Sequence, residues 1–179
     1  MDDQRPGAMS PEETPMFEEF MGIPAHPLLL HAAVAFVPLL ALLTVGYAFV
    51  PPIRPHTRWV LGLLAVGAPV AALLTKLSGD AFLERMRAAN RVTPEFLPKL
   101  EAHQEFGDIT LYASIGLGVV ALALVRLVPP KAADANADGR PGRPLTLALQ
   151  VLSLVAAAVT VYYVVRTGDS GAKAVWEGQ

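Results

Sequence analysis

The sequence predicts an all-α integral membrane protein with four transmembrane helices in a bundle, arranged as two related helical hairpins. Two observations carry this. Four apolar runs, Pro27 to Val50, Trp59 to Thr75, Ile109 to Val125 and Leu145 to Val165, contain no Asp, Glu, Lys or Arg. Each is close to the roughly 20 residues that cross a bilayer, and a charge at mid-bilayer costs about 2.5 to 3.5 kcal/mol on insertion scales. The second observation is a missing feature. A helix of a soluble bundle shows a polar face about every 3.6 residues, and these runs have none. A hydrophobic fraction of 53 % and a mean hydropathy of +0.43 agree.

Residues 1–21 are acidic and Pro-rich and lack an apolar core, so they read as a disordered tail and not as a cleavable signal peptide. The first span is then the insertion signal itself. Residues 22–176 form one transmembrane domain, with spans near 27–50, 59–77, 108–128 and 145–166. In the outer connection, 78–107, Phe82, Leu83 and Met86 fall at helical spacing with Glu84, Arg85 and Arg87 between them, which predicts an amphipathic continuation of the second span. Thr93-Pro94 reads as a cap and first-turn pair, with a second start at Pro98. The linker 129–144 is rich in Ala, Asp, Gly and Pro and reads as mobile.

The short connections carry Arg54, Arg58, Arg126, Lys131, Arg140 and Arg143 against only Asp134 and Asp138. Because positive charge close to span ends marks the cytoplasmic side, these loops are expected inside and both termini outside, in a bacterial plasma membrane. No basic cluster points to nucleic acid, and the net charge is −2. Cysteine is absent, which excludes disulfides, thiolate zinc or iron–sulfur sites and thioether-linked haem. Any metal must use His, carboxylate or Met.

The halves share a plan: a His near the outer start of the first helix, then a cation and Gly-Asp at the outer end of the second. These are His31 with Lys76, Gly79 and Asp80, and His103 with Arg166, Gly168 and Asp169. With His26 and Asp108, all of these residues fall at one membrane face. Ionisable groups at such depth are expensive and usually functional. His103, Gly107, Thr110, Ser114 and Ala121 form a stripe of small or weakly polar residues on the third helix. Such a stripe either lets helices approach closely or leaves space for a flat cofactor such as haem b. His31 and His103 are the expected axial ligands of the haem iron, and His26 substitutes for His31 in a shallower bundle. Asp80, Asp108 and Asp169 are candidates to hold a liganding imidazole or to neutralise Lys76 and Arg166, which otherwise snorkel. His56 lies on the opposite face and reads as solvated.

Asp134-Ala-Asn136-Ala-Asp138-Gly139 opens like a calcium loop, but the twelfth position is Leu145, and Pro141 and Pro144 interrupt it. No hydrolase, phosphate-loop or zinc-protease pattern occurs, so the sequence leans away from an enzyme.

Gly22-Ile-Pro-Ala-His26-Pro27-Leu-Leu-Leu-His31, with Phe36-Val-Pro38-Leu downstream, resembles the opening of bacterial membrane proteins catalogued as domain of unknown function 2231. Ser78-Gly79-Asp80, the run Glu101 to Asp108 and the run Gly168 to Trp176 extend the resemblance over residues 22–176. Members of that family often carry His where this chain has Asp169, so a four-histidine, two-haem arrangement is not implied here. The four-helix plan and clustered histidines look like those of two-haem b-type cytochromes, an analogy of fold only.

Three functions are therefore weighed. One is a b-type haem or redox subunit with its site near the outer face, in a respiratory or other membrane complex or a homo-oligomer. Another is a structural or accessory subunit that binds partner proteins within the lipid bilayer without a cofactor. The third is transport or sensing of a transition metal or protons through the same histidines.

Overall fold

The computed structural model describes residues 19–20, 23–130 and 142–176. The expected disordered tail, apart from Glu19 and Phe20, and the Asp134–Asp138 loop lie outside the described residues. Two short strands, β1 (Glu19–Phe20) and β2 (Ile23–Pro24), pair antiparallel ahead of α1 (Ala25–Phe49). A single 3-10 turn at Pro51–Ile53 leads into α2 (Arg54–Ala88), followed by α3 (Leu97–Leu127) and α4 (Arg143–Trp176). All four helices are long and apolar enough to cross a membrane.

The punctuation has local causes. Pro51 and Pro52 lack backbone N–H groups, so α1 stops and the chain reverses within one turn. At the far end of α2, Asn90 takes φ of 53°, a left-handed conformation that Asn tolerates. The Asn90 N–H then donates to Arg87 O at 3.0 Å and the Arg91 N–H to Met86 O at 2.9 Å, which satisfies the last carbonyls of the helix. The amphipathic stretch after the second apolar run continues α2 without a break. Thr93-Pro94 opens a turn and not the helix: Thr93 O accepts from the N–H groups of Phe96 and Leu97, and α3 begins only at Leu97 with Pro98 in its first turn. At 1.5 Å per residue α2 is about 52 Å long, well beyond a hydrocarbon core of about 30 Å. Its charged C-terminal end therefore projects past the apolar layer.

Neighbours in sequence are neighbours in space. α1 packs on α2 and α4, α3 packs on α2 and α4, and the α1–α3 diagonal is the smaller contact. Val37, Leu40, Leu61, Leu117 and Leu124 are buried between them, and Ala41, Ala65, Ala68 and Ala121 let the backbones draw close. A close approach occurs at Gly118, where a Cβ would sit 2.4 Å from Ala65 O. Pro69 has no N–H to offer that carbonyl, so the oxygen freed on α2 lies against Gly118 of α3, where the missing side chain leaves room for it. Leu42, Leu63 and Val119 are 69 %, 66 % and 62 % exposed on the outside of the bundle. Such a surface is unfavourable in water and natural in lipid. Buried Thr44 and Ser114 donate to carbonyls of their own helices, Leu40 O and Leu111 O, both at 2.7 Å, while buried Thr160 also reaches Ala113 O on α3 at 3.2 Å.

Candidate functional site

The two ends of the bundle differ. One end is closed: buried Tyr47 donates to Val128 O at 3.1 Å, Arg54 Nε and Nη2 donate to Tyr47 O and Ala48 O at 2.8 and 2.9 Å, and Gln150 donates to Ala48 O at 3.0 Å. Two side chains, Arg54 and Gln150, thus cap the last carbonyls of α1, and Tyr47 caps the end of α3. The other end, formed by the starts of α1 and α3 and the ends of α2 and α4, holds a cavity of about 1160 Å³ lined by all four helices.

His26 and His103 both line that cavity. Each is anchored by the second helix of its own hairpin in the same way. His26 Nδ1 lies 3.0 Å from Thr75 O and 3.2 Å from Ser78 Oγ; His103 Nδ1 lies 3.1 Å from Thr167 O and 3.0 Å from Ser170 Oγ. Both serine hydroxyls donate to the same threonine carbonyl, at 2.8 Å for Ser78 and 2.9 Å for Ser170, so each Oγ has lone pairs left to accept from the ring. A carbonyl only accepts. In the neutral ring Nδ1 must therefore carry the proton, which leaves Nε2 with its lone pair, and neither Nε2 has a hydrogen-bond partner among the described residues.

A glycine completes each device. A Cβ at Gly79 would meet His26 Cε1 at 3.0 Å, and one at Gly171 would meet His103 Cε1 at 2.9 Å. The distances to Nδ1 and Nε2 are the same on the two sides, 3.2 and 3.7 Å. The pattern is Thr-x-x-Ser-Gly, at 75–79 and 167–171. Residues three and four apart share a helix face, so the carbonyl, hydroxyl and bare Cα all meet one ring.

This geometry moves the register of the internal repeat. The expected equivalence of His31 with His103 and of Gly79-Asp80 with Gly168-Asp169 gives way to His26 with His103 and Ser78-Gly79 with Ser170-Gly171. The physical reason is contact: Gly171 lies against an imidazole, whereas a Cβ at Gly168 would meet nothing within 4 Å. His31 is exposed and its Nδ1 bonds Pro27 O on its own helix, so it does not join the other two. His56 is exposed at the closed end.

Of the charged candidates, Lys76 and Asp80 line the cavity. Lys76 Nζ lies 2.8 Å from Asp80 Oδ2 and 3.0 Å from Asp108 Oδ1, and Gln104 Nε2 donates to Asp80 Oδ1 at 3.0 Å. This cluster ties α2 to α3. The second hairpin lacks it, because the Thr-x-x-Ser-Gly register puts Gly168 and Ala172 where the first has Lys76 and Asp80. Arg166 instead stacks over Phe106 at 4.7 Å and Asp169 pairs with Lys173 at 2.8 Å, both apart from the cavity. Of the small stripe on α3, Gly107 faces the cavity and would meet nothing within 4 Å, Thr110 bonds Thr167 Oγ1 at 2.8 Å, and Ser114 and Ala121 are core.

Reading side chains as ligands alone misses Thr75, Ser78, Thr167 and Ser170, although the doubled Thr-x-x-Ser-Gly is visible in the sequence. Residues 22–179 match the family described as "Predicted membrane protein (DUF2231)", and the chain belongs to it. No curated protein and no solved structure matches the chain.

Proposed function

Taking membership of that membrane family as the premise, we propose that the protein binds a b-type haem in the cavity between the hairpins and serves as a redox subunit of a bacterial plasma membrane. Nε2 of His26 and of His103 would hold the iron. The observation that carries this reading is the duplicated imidazole anchor. A liganding histidine commonly donates its other ring N–H to a carbonyl, which sets the tautomer and the ring orientation, and both rings do so. The donor count also favours haem over a bare ion. Among the described residues no group of three or more His, Asp or Glu could hold a metal ion. A haem iron takes four nitrogens from its own ring and asks the protein for two imidazoles. When bound, haem supplies one-electron chemistry at a potential set by its ligands and their surroundings.

The chain's own residues would orient and insulate that centre. Ser78 and Ser170 hold the ring nitrogens, and Gly79 and Gly171 let the rings lie flat against α2 and α4. Leu30, Val34, Val37 and Val164 line the cavity with apolar wall. Arg54, Arg58, Arg126 and Arg143 all belong to the closed end, which favours that end as cytoplasmic and the cavity and both termini as outward.

The test is an optical spectrum of detergent-purified protein expressed with ample haem. A Soret band is expected that is lost in His26→Ala and in His103→Ala and kept in His31→Ala. A wild-type sample with no such band refutes the reading. One specific observation favours the structural alternative: His26 ties α1 to α2 and His103 ties α3 to α4, so each also acts as a clasp within its hairpin. Under that alternative no band forms and both alanine variants lower the thermal midpoint.

A further inference from the structure

The charged cluster on the first hairpin has an unused donor. The Lys76 ammonium carries three N–H groups; it donates one to Asp80 Oδ2 at 2.8 Å, and Asp108 Oδ1 lies 3.0 Å away as an ion-pair partner outside hydrogen-bond geometry. Lys76 lines the cavity and its side chain is 29 % exposed. Both oxygens of Asp80 are already engaged, by Lys76 and Gln104, and Asp108 is not among the residues lining the cavity. The α2 wall therefore offers a cavity ligand a directed donor at Lys76, while Arg91 and Lys99 line other parts of the same cavity.

The chemistry of its acceptor follows from charge. One ammonium against two carboxylates leaves this cluster at −1, so at Lys76 itself, apart from Arg91, Glu95 and Lys99 elsewhere in the lining, a further carboxylate or phosphate would enter against an uncompensated negative charge. A neutral carbonyl oxygen meets no such penalty. Leu30, Val34, Leu83, Phe82 and Phe96 give the cavity an apolar stretch of wall that suits an apolar body. The cavity also has room: its volume of about 1160 Å³ exceeds the range of roughly 300 to 1000 Å³ usual for a single small-molecule site. Gly168 and Ala172, at the corresponding positions of α4, carry no side-chain donor, so the Lys76 contact has no counterpart there.

We infer that the cavity binds a membrane-soluble molecule with a neutral carbonyl oxygen, which accepts a hydrogen bond from Lys76 Nζ while Asp80, Asp108 and Gln104 position that ammonium. A quinone and the ester carbonyl of a neutral lipid share this chemistry. The inference needs the cavity to be a ligand site and does not need the haem.

The chain contains two Trp, and Trp176 lines the cavity, so a Trp59→Phe background gives a single reporter. Full-length protein in detergent is titrated with decylbenzoquinone, which quenches indole emission, and dioctanoylglycerol and decanoate are added as competitors. Saturable quenching is expected, weakened at least tenfold by Lys76→Met and by Gly107→Leu, which fills the wall from open space. Lys76→Arg is expected to stay within about threefold of the parent, since a donor remains. Competition by dioctanoylglycerol with the same Lys76 dependence identifies a lipid ester as the ligand, and its absence identifies a quinone; decanoate should compete with neither. If Lys76→Met alone fails to fold, the charge-compensated pair Lys76→Met with Asp80→Asn and the Gly107→Leu variant decide. Unsaturable quenching, equal affinity in the folded Lys76 and Gly107 variants, or stronger competition by decanoate overturns the inference. A Soret band without Lys76-dependent binding removes this inference alone. Lys76-dependent binding without a Soret band removes the haem reading alone.

Discussion

The two hairpins carry the same imidazole anchor in different electrostatic settings. In α1–α2 the ring of His26 lies near Phe82, with centroids 6.4 Å apart, and close along α2 is an ammonium shared by Asp80 and Asp108. In α3–α4 the corresponding positions are Gly168, Ala172 and Ala174, and the charges nearest in sequence, Arg166 and Asp169, have turned to Phe106 and Lys173. What is duplicated is the part that sets an imidazole's tautomer and pose. What is not duplicated is the charged wall beside it, Lys76 with Asp80 and Asp108. A cavity with equivalent anchors and unequal walls has a front and a back.

The largest expected effect concerns the seam that joins the hairpins. Gly118→Ala puts a methyl 2.4 Å from Ala65 O, a backbone atom that cannot swing aside, so α2 and α3 must separate. A loss of about 3 kcal/mol is expected, read as a lowered thermal midpoint in detergent. An unchanged midpoint would mean that the hairpins do not meet at this point.

The next effect sharpens the electrostatic contrast. Lys76→Met strands two partly buried carboxylates and should cost about 1 to 2 kcal/mol, whereas Lys173→Met removes an exposed pair and should cost less than about 0.5 kcal/mol. Equal costs for the two variants would erase the distinction drawn between the hairpins.

The smallest effect tests the register of the repeat. Gly171→Ala crowds His103 and should destabilise by about 1 kcal/mol, while Gly168→Ala enters open space and should gain about 0.5 kcal/mol from helix propensity. The reverse order would restore Gly168 as the partner of Gly79.

Much of the architecture was legible before any coordinate. Charge-free runs such as Ile109 to Val125 can only be solvated by lipid or by one another, and the helical continuation past Thr75 followed from the spacing of Phe82, Leu83 and Met86. The site was half legible. His26 and His103 stood among the candidates, and so did Lys76 and Asp80, because ionisable residues beside spans are few. The choice of His26 over His31 was not. Both sit in the first turns of α1, and nothing local separates an imidazole that reaches Thr75 O from one that folds back on Pro27 O.

The sequence by itself therefore determined the solvent of this protein, its four helices, and the end of the bundle at which polar groups collect, since those follow from hydropathy summed over whole segments. Only the tertiary structure decided which imidazoles share a cavity, which glycine lies beneath each, and that Lys76 answers to carboxylates on two helices. Those are matters of helix rotation and depth, set by contacts such as Gly118 against Ala65 O between residues far apart in the chain.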